Sequence, residues 1–336
     1  MSWLGLDIGG ANLKAADGRR WATCVPFQLW RNPNRLQAAV SLLVSAAPPS
    51  ERVAVTMTGE LCDCFRTKEE GVRHILAEVE NALDGRSVSV YLVDGRFVPI
   101  AQARGASQLA AASNWHALAR FACRFVGGDA GILIDIGSTT SDIIPLLDGG
   151  PRASGQTDTE RLISGELVYT GVGRTPVCAV TQTLPWRGAR CPVAAELFAT
   201  TADAYLLLDL IQECEDDLSA ADGRPMAKEF ARERLARMIC ADSTVFDESD
   251  AHTAAAAIRD MQLTQLRRAL ANVMTSIERR PHACIVSGTG EFLAREVANE
   301  VLLEVPIISL AEMLGPQVSR AAPAHALAVL AQETVV

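Results

Sequence analysis

The sequence predicts an α/β protein built as two similar halves that face one phosphate-binding cleft, and three observations carry this. The first is size and balance. The chain has 336 residues, 49% hydrophobic and 21% charged, an ordinary globular composition at a length where cores usually divide in two. The second is a duplication. Gly5-Leu-Asp7-Ile-Gly9-Gly10-Ala11-Asn12-Leu13-Lys14 and Ile134-Asp135-Ile-Gly137-Ser138-Thr139-Thr140-Ser141-Asp142 both read as strand, small-residue turn and strand, with Asp7 aligned on Asp135 and Gly9 on Gly137. The third is Ala283-Cys-Ile-Val-Ser287-Gly288-Thr289-Gly290-Glu291, a buried-type strand that enters a glycine turn and then a helix.

Each element follows from local pattern. Short apolar runs place strands near 3–8, 13–16 and 21–27, then a helix at 33–46 stopped by Pro48-Pro49. A strand at 53–56 leads to Thr58-Gly59-Glu60. Val72, Ile75, Leu76, Val79 and Leu83 recur at helical spacing over 68–83, and a strand follows at 88–93. The small-residue stretch 106–125 reads as one helix linking the halves, ended by Gly127-Gly128. The second half opens with strands at 131–136 and 141–146. It then carries an insertion at 157–253 in which 192–209 and 225–240 look helical. A long helix is expected at 250–279 before Pro281, then strands at 283–286 and 305–308 around a helix at 292–303, and a final helix at 324–332. Residues 1–112 are assigned to the first domain and 113–319 to the second. No low-complexity linker separates them, so a shared interface and hinge are expected.

Charge and cysteine usage exclude several classes. With 31 Lys+Arg against 40 Asp+Glu, a net charge of −9 and no basic run, nucleic acid is not expected as a partner. Aromatics at 5% argue against a base-stacking surface. The start of the chain lacks a basic region and meets Asp7 at once, unlike a signal peptide. The apolar stretches 38–49 and 321–331 are broken by Ser, Pro or His and fall short of the about 20 residues a membrane span needs. Nine cysteines without a C-x-x-C and five scattered histidines predict neither a zinc site nor a disulfide framework, but reduced thiols in a cytoplasmic protein. No oligomeric state is assigned.

The turns point to phosphate. Glycines let backbone N–H groups approach an anion, so Gly9, Gly10 and Asn12 in the first loop, and Gly137, Ser138, Thr139 and Thr140 in the second, are candidate phosphate ligands. Gly288, Thr289 and Gly290 precede a helix N-terminus, where a phosphate or nucleoside fits. Asp7 and Asp135 repel phosphate unless a hydrated Mg²⁺ lies between, which makes them the candidate metal residues. Lys14, one of three lysines with Lys68 and Lys228, suits neutralising a diphosphate. Glu60, with Asp63 nearby, suits accepting a proton, holding an ammonium group or stabilising a helix start. Asn114 is placed to reach metal-bound water or phosphate, with Trp115 in the core. Glu166, Thr170 and Arg174 lie in a glycine- and hydroxyl-rich stretch suited to substrate contact, arginine being apt for phosphate or carboxylate. None of the histidines is expected as a base.

These motifs together resemble the actin, sugar-kinase and Hsp70 superfamily, whose hydantoinase/oxoprolinase branch lies close. The resemblance implies two ribonuclease-H-like halves around a nucleotide cleft (the actin-like ATPase fold), with a C-terminal helix at 320–336 packing back on the first half. More narrowly, residues 5–16, Thr56-Met-Thr-Gly-Glu-Leu61, Ala110-Ala-Ala-Ser-Asn-Trp115 and Ser164-Gly-Glu-Leu-Val-Tyr-Thr-Gly171 with Arg174-Thr-Pro176 resemble the tetrahydromethanopterin-linked one-carbon-pathway family, over about residues 3–320. Its characterised archaeal members join γ-glutamyltyramine, through the phenol oxygen, to an (aminomethyl)furanmethanol diphosphate in methanofuran synthesis and release diphosphate. The resemblance therefore implies a transferase in methanofuran or methylofuran biosynthesis that forms an aryl ether from a tyramine- or tyrosine-type phenol. Glu60 or Asp142 would take the phenol proton, while Mg²⁺ and the loops stabilise the departing diphosphate. The alternative is an ATP-dependent kinase or ligase of the same superfamily. ATP is not favoured, because Asn12 stands where such kinases often carry Thr or Ser. A nucleotide-sensing regulator is a further alternative, but it would not require both Asp7 and Asp135.

Overall fold

The computed structural model describes residues 2–127 and 130–335. The apolar run Trp3–Ile8 forms β1, buried at every residue, as expected for a strand covered on both faces. It pairs antiparallel with β2 (Asn12–Ala16) and parallel with the strand Arg52–Met57. With β3 (Ala22–Pro26), that strand as β4, β5 (Ser87–Tyr91) and β6 (Phe97–Pro99), the first sheet has the order β3-β2-β1-β4-β5-β6. The second half repeats the plan. β7 (Gly131–Ile136) is antiparallel to β8 (Ser141–Leu147), to which the short β9 (Gly150–Pro151) and β10 (Leu167–Val168) are added. After the hairpin β11 (Thr183–Trp186) and β12 (Ala189–Pro192), β13 (Ala283–Ser287) lies parallel to β7, and β14 (Ile307–Ser309) parallel to β13. The order β10-β8-β7-β13-β14 matches β3-β2-β1-β4-β5 of the first sheet, with no counterpart of β6, so the duplicated motif is a duplicated topology.

Helices Leu36–Ser45 and Lys68–Leu83 cover one face of the first sheet. The second buries Val72, Ile75, Leu76, Val79 and Leu83 and starts at Thr67, whose hydroxyl accepts from the Glu70 amide at 3.1 Å. Helices Glu248–Thr275 and Glu291–Val301 cover one face of the second sheet. Between the sheets lie Asn114–Ala122 and Ala322–Thr334. Ala322 and Ala326 of the last helix meet Leu133 and Ile144, while Leu327 and Ala328 meet Trp3 and Ala54. The approach to β1 requires a glycine: a Cβ on Gly5 would lie 2.0 Å from the Ala324 carbonyl oxygen. The insertion builds its own cluster around Leu184, Leu235, Phe246 and Ile258.

The structure corrects two expected elements. The stretch 106–125 is not one helix but Ser107–Ala110 and Asn114–Ala122, with Ala112 at φ 47° between them. The break turns the Ser113 hydroxyl onto Thr56 Oγ1 at 2.7 Å and the Tyr91 carbonyl at 3.0 Å, which ties the linker to β4 and β5. Helix is confined to Thr201–Leu207 within the expected 192–209: residue 192 ends a hairpin at 183–192 that turns through Arg187 and Gly188, both at positive φ, and the backbone of Val193, Ala194 and Ala199 bonds to Gln182, Met238 and Val177 instead. β6 was not foreseen. The expected stop at Gly127-Gly128 lies partly outside the described residues. No helix of the described residues is long and apolar enough to cross a membrane, and all nine cysteines are unpaired.

Candidate active site

Strand register sets the centre of the site. In the first hairpin Asp7 stands opposite Lys14, and in the second Asp135 stands opposite Asp142. Both turns close alike: the Gly9 amide donates to the Asn12 carbonyl at 3.0 Å, and the Gly137 amide to the Thr140 carbonyl at 2.9 Å. Lys14 Nζ lies 3.2 Å from Asp7 Oδ2, and Asp7 Oδ1 is buried without a hydrogen-bond partner. Burial works against the Lys14 ammonium, yet Asp7, the Cys24 thiol and Asp135 of the other half hold its pKa above the usual value. The Lys14 ammonium thus pairs with Asp7 of its own hairpin and also feels the Asp135 carboxylate of the other. Asp135 accepts from the Ser287 hydroxyl at the end of β13. Burial, and then the neighbouring Asp142, push its carboxyl up to about 6.

The third turn closes over this pair. Gly288 has φ +90°, and a Cβ there would lie 2.3 Å from the Ile136 carbonyl oxygen and 2.8 Å from Asp135 Oδ1, so only glycine fits. The Gly290 amide donates to the same Ile136 carbonyl at 2.8 Å, and Thr289 beside it is exposed. The segment after β10 clasps the second loop: Val172 donates to the Gly137 carbonyl at 3.0 Å, and Gly173 and Arg174 to the Ser138 carbonyl at 2.9 Å. On the first loop, Leu29 donates to Gly10 and Phe27 to Ala11, each at 2.9 Å. Among the described residues the hydroxyls of Ser138, Thr139 and Thr140 take no intramolecular partner, which leaves them for a ligand.

Glu60 follows the β4 turn, where Thr58 and Gly59 both donate to the Ile8 carbonyl, at 3.0 and 3.1 Å. It is 1% exposed, its Oε2 has no hydrogen-bond partner, and burial pushes its carboxyl up to about 7. Asp158 of the second half adds to that rise and Lys68 opposes it. These two residues pair across the halves at 3.1 Å. Asp142, the other expected base, is instead held in an ion pair by Arg161, which is itself buried and lies 4.1 Å over the Trp115 ring. Glu60 is therefore a buried carboxyl with neither an ion pair nor, at Oε2, a hydrogen-bond partner among the described residues.

Two further expectations change. Glu166 was expected against substrate, but its oxygens accept from the Ser154 amide at 2.6 Å, the Gly155 amide at 3.2 Å and the Ser164 hydroxyl at 2.9 Å. Thr170 is likewise buried, bonded to Thr175 Oγ1 at 3.2 Å and to Gln262 Nε2 at 2.8 Å. Both organise the loop rather than face the cleft. Asn114 accepts from the Trp115 amide at 2.7 Å at the start of its helix. Arg174 does reach across to the first half, 4.3 Å over the Trp30 ring. Ser287, Arg161 and Trp30 were not picked out; Ser287 alone had a signal, as the first residue of the S-G-T-G turn.

The donor set fits a hydrated Mg²⁺. Among the described residues no three His, Cys, Asp or Glu side chains converge as a metal site. Mg²⁺, however, is commonly held by one or two carboxylates with waters and phosphate oxygens. The unpartnered Asp7 Oδ1 and the facing Asp135 supply such carboxylates.

A hydantoinase/oxoprolinase family profile matches residues 51–334. The chain is 36% identical over 334 residues, covering 98% of it and 97% of the relative, to a protein of Methanocaldococcus jannaschii named (4-{4-[2-(gamma-L-glutamylamino)ethyl]phenoxymethyl}furan-2-yl)methanamine synthase. A protein of the same name from Methanococcus vannielii is 32% identical over 59% of this chain and 89% of its own. Among solved structures, a nucleotide-free acetone carboxylase aligns with a TM-score of 0.57 at 12% identity, over 98% of this chain and 70% of that one. That likeness speaks to the fold, which both share.

Proposed function

The chain belongs to the hydantoinase/oxoprolinase family, and from that premise we propose that it is a transferase of methanofuran-type cofactor synthesis. It joins an (aminomethyl)furanmethanol diphosphate to the phenol oxygen of a tyramine- or tyrosine-type glutamyl acceptor. The near full-length likeness to the M. jannaschii synthase supports this reading. The observation that carries it is the duplicated pair of hairpins, whose carboxylates Asp7 and Asp135 both act on the Lys14 ammonium, with the buried Glu60 following the strand that pairs with β1.

The chemistry is a displacement. The phenol oxygen bonds to the furfuryl carbon, the carbon–oxygen bond to diphosphate breaks, and the phenol proton passes to Glu60. A phenol of pKa about 10 is a poor nucleophile when neutral. A carboxyl raised to about 7 is a stronger base than an ordinary one once ionised. The loop amides at 10–12 and 138–140, the hydroxyls of Ser138, Thr139 and Thr140, and Lys14 would meet the charge that grows on the leaving group. Bound Mg²⁺, held by Asp7 and Asp135, would add Lewis-acid stabilisation of that diphosphate. Holding both substrates between the halves supplies proximity. The unpaired thiols suit a reducing cytoplasm.

The test mixes purified protein and Mg²⁺ with the furan diphosphate and γ-glutamyltyramine, and follows ether product by mass and diphosphate release together. One diphosphate per ether is expected. ATP consumption with a phosphorylated product, and no ether, would replace this reading with the kinase or ligase alternative.

A further inference from the structure

We propose that Trp30 and Arg174 are the recognition site for the acceptor, with Trp30 stacking on its phenol ring and Arg174 pairing with its glutamyl carboxylate. This deepens the function proposed above and rests on it. The two side chains come from different halves, and each is anchored to one phosphate loop. Leu29, next to Trp30, donates its amide to Gly10, and the Arg174 amide donates to Ser138, both at 2.9 Å. Their stacked pair, at 4.3 Å, therefore joins the two halves through segments bonded to the two turns that would grip diphosphate.

Chemistry selects the occupant. Arg174 is exposed, and among the described residues it forms no salt bridge. Its guanidinium is satisfied only by the indole face, a contact worth little at an exposed site. A planar, unpaired guanidinium is suited to a bidentate carboxylate, and the indole face it covers is suited to an arene. An acceptor with both groups would exchange one weak internal contact for two stronger ones. The diphosphate is less suited to this pair, because Lys14 and the loop amides already lie deeper, where its charge would sit. Cys62 flanks the same pair: a Cβ on Gly10 would be 2.9 Å from its sulfur, and its thiol senses the Arg174 charge.

The experiment compares wild type, Arg174→Gln, Trp30→Leu and Trp30→Phe on γ-glutamyltyramine and on tyramine, which lacks the carboxylate. Arg174→Gln is expected to raise KM for γ-glutamyltyramine about 10- to 100-fold, the scale of a charged hydrogen bond, with kcat and the tyramine KM within about twofold. Trp30→Leu is expected to raise KM for both acceptors about three- to tenfold, the scale of an aromatic pair, and Trp30→Phe to restore most of it. Calorimetry with Mg²⁺ and inorganic diphosphate checks that each variant is folded, and its affinity should stay within about twofold. Unchanged acceptor KM values, or a loss of diphosphate affinity in Arg174→Gln, would overturn the assignment while leaving the transferase reading intact. If wild type forms no ether, the transferase reading fails, and calorimetry with γ-glutamyltyramine on the diphosphate-loaded protein decides this inference. Binding lost in Arg174→Gln sustains it, and equal binding sinks it.

Discussion

Replacing Glu60 with Gln tests the base and its electrostatics at once. The side chain is 1% exposed, and its carboxyl rises from an ordinary 4.5 to about 7, chiefly through burial. Because the folded pKa lies above the unfolded one, the folded protein holds an extra proton between these values. The stability this gives is fully present below about 4.5 and is lost as pH rises through about 7. At about 1.4 kcal/mol per pH unit, the loss amounts to roughly 3 kcal/mol. Glutamine keeps the shape and has nothing to ionise. Urea unfolding should therefore find Glu60→Gln near wild type at pH 4.5, and more stable by roughly 3 kcal/mol at pH 8. In turnover the sign reverses. Wild-type kcat/KM should climb to a plateau above about pH 7, while the variant falls about 10²- to 10⁴-fold and loses the climb. A stability difference that does not change between pH 4.5 and 8 would refute the burial argument. Wild-type rates in the variant would remove Glu60 as the base.

Asp135→Asn should cut turnover about a hundredfold or more while the fold stays intact, since the amide is relieved of a charge that burial disfavours; activity across a Mg²⁺ titration, beside circular dichroism, checks both halves of the statement. Gly288→Ala should cost roughly 2–5 kcal/mol, from a positive φ and a Cβ driven into the Ile136 carbonyl, and thermal melting reads it as a lowered Tm. Hydrogen exchange with Mg²⁺ and diphosphate should protect 9–12 and 137–140 together with the segment 164–174, because a ligand held by both loops draws the halves closed; protection of one loop alone would mean that they do not act as a pair.

What could be read from the sequence was what neighbouring residues decide. The turns at Gly9 and Gly137 showed because glycine and hydroxyl chemistry is local, and the helix Lys68–Leu83 showed because its buried stripe repeats every turn. The strand-end carboxylates Asp7 and Asp135 came with the turns. The rest depends on segments far apart in the chain. Arg161 claims Asp142 only because the helix Asp158–Ser164 folds across β8 onto Trp115. Glu166 is drawn to the amides of Ser154 and Gly155 by a loop whose path no spacing rule announces. The hairpin at 183–192 was hidden because Arg187 takes φ 48°, a conformation more usual for Gly or Asn. The linker broke where the Ser113 hydroxyl found partners on strands already assembled.

The resting of Ala322–Thr334 on Trp3–Ile8 has a consequence for synthesis. The strand at the centre of the first sheet leaves the ribosome about 320 residues before the helix that shields it. At roughly 10 residues per second, the two emerge about half a minute apart. For that interval the face of the nascent first sheet that carries Trp3, Ala54 and Tyr91 lacks the cover this helix gives it. Exposed apolar surface of this kind is what chaperones bind and what aggregates form from. The first half is begun first, yet it cannot be finished until the second half has been made.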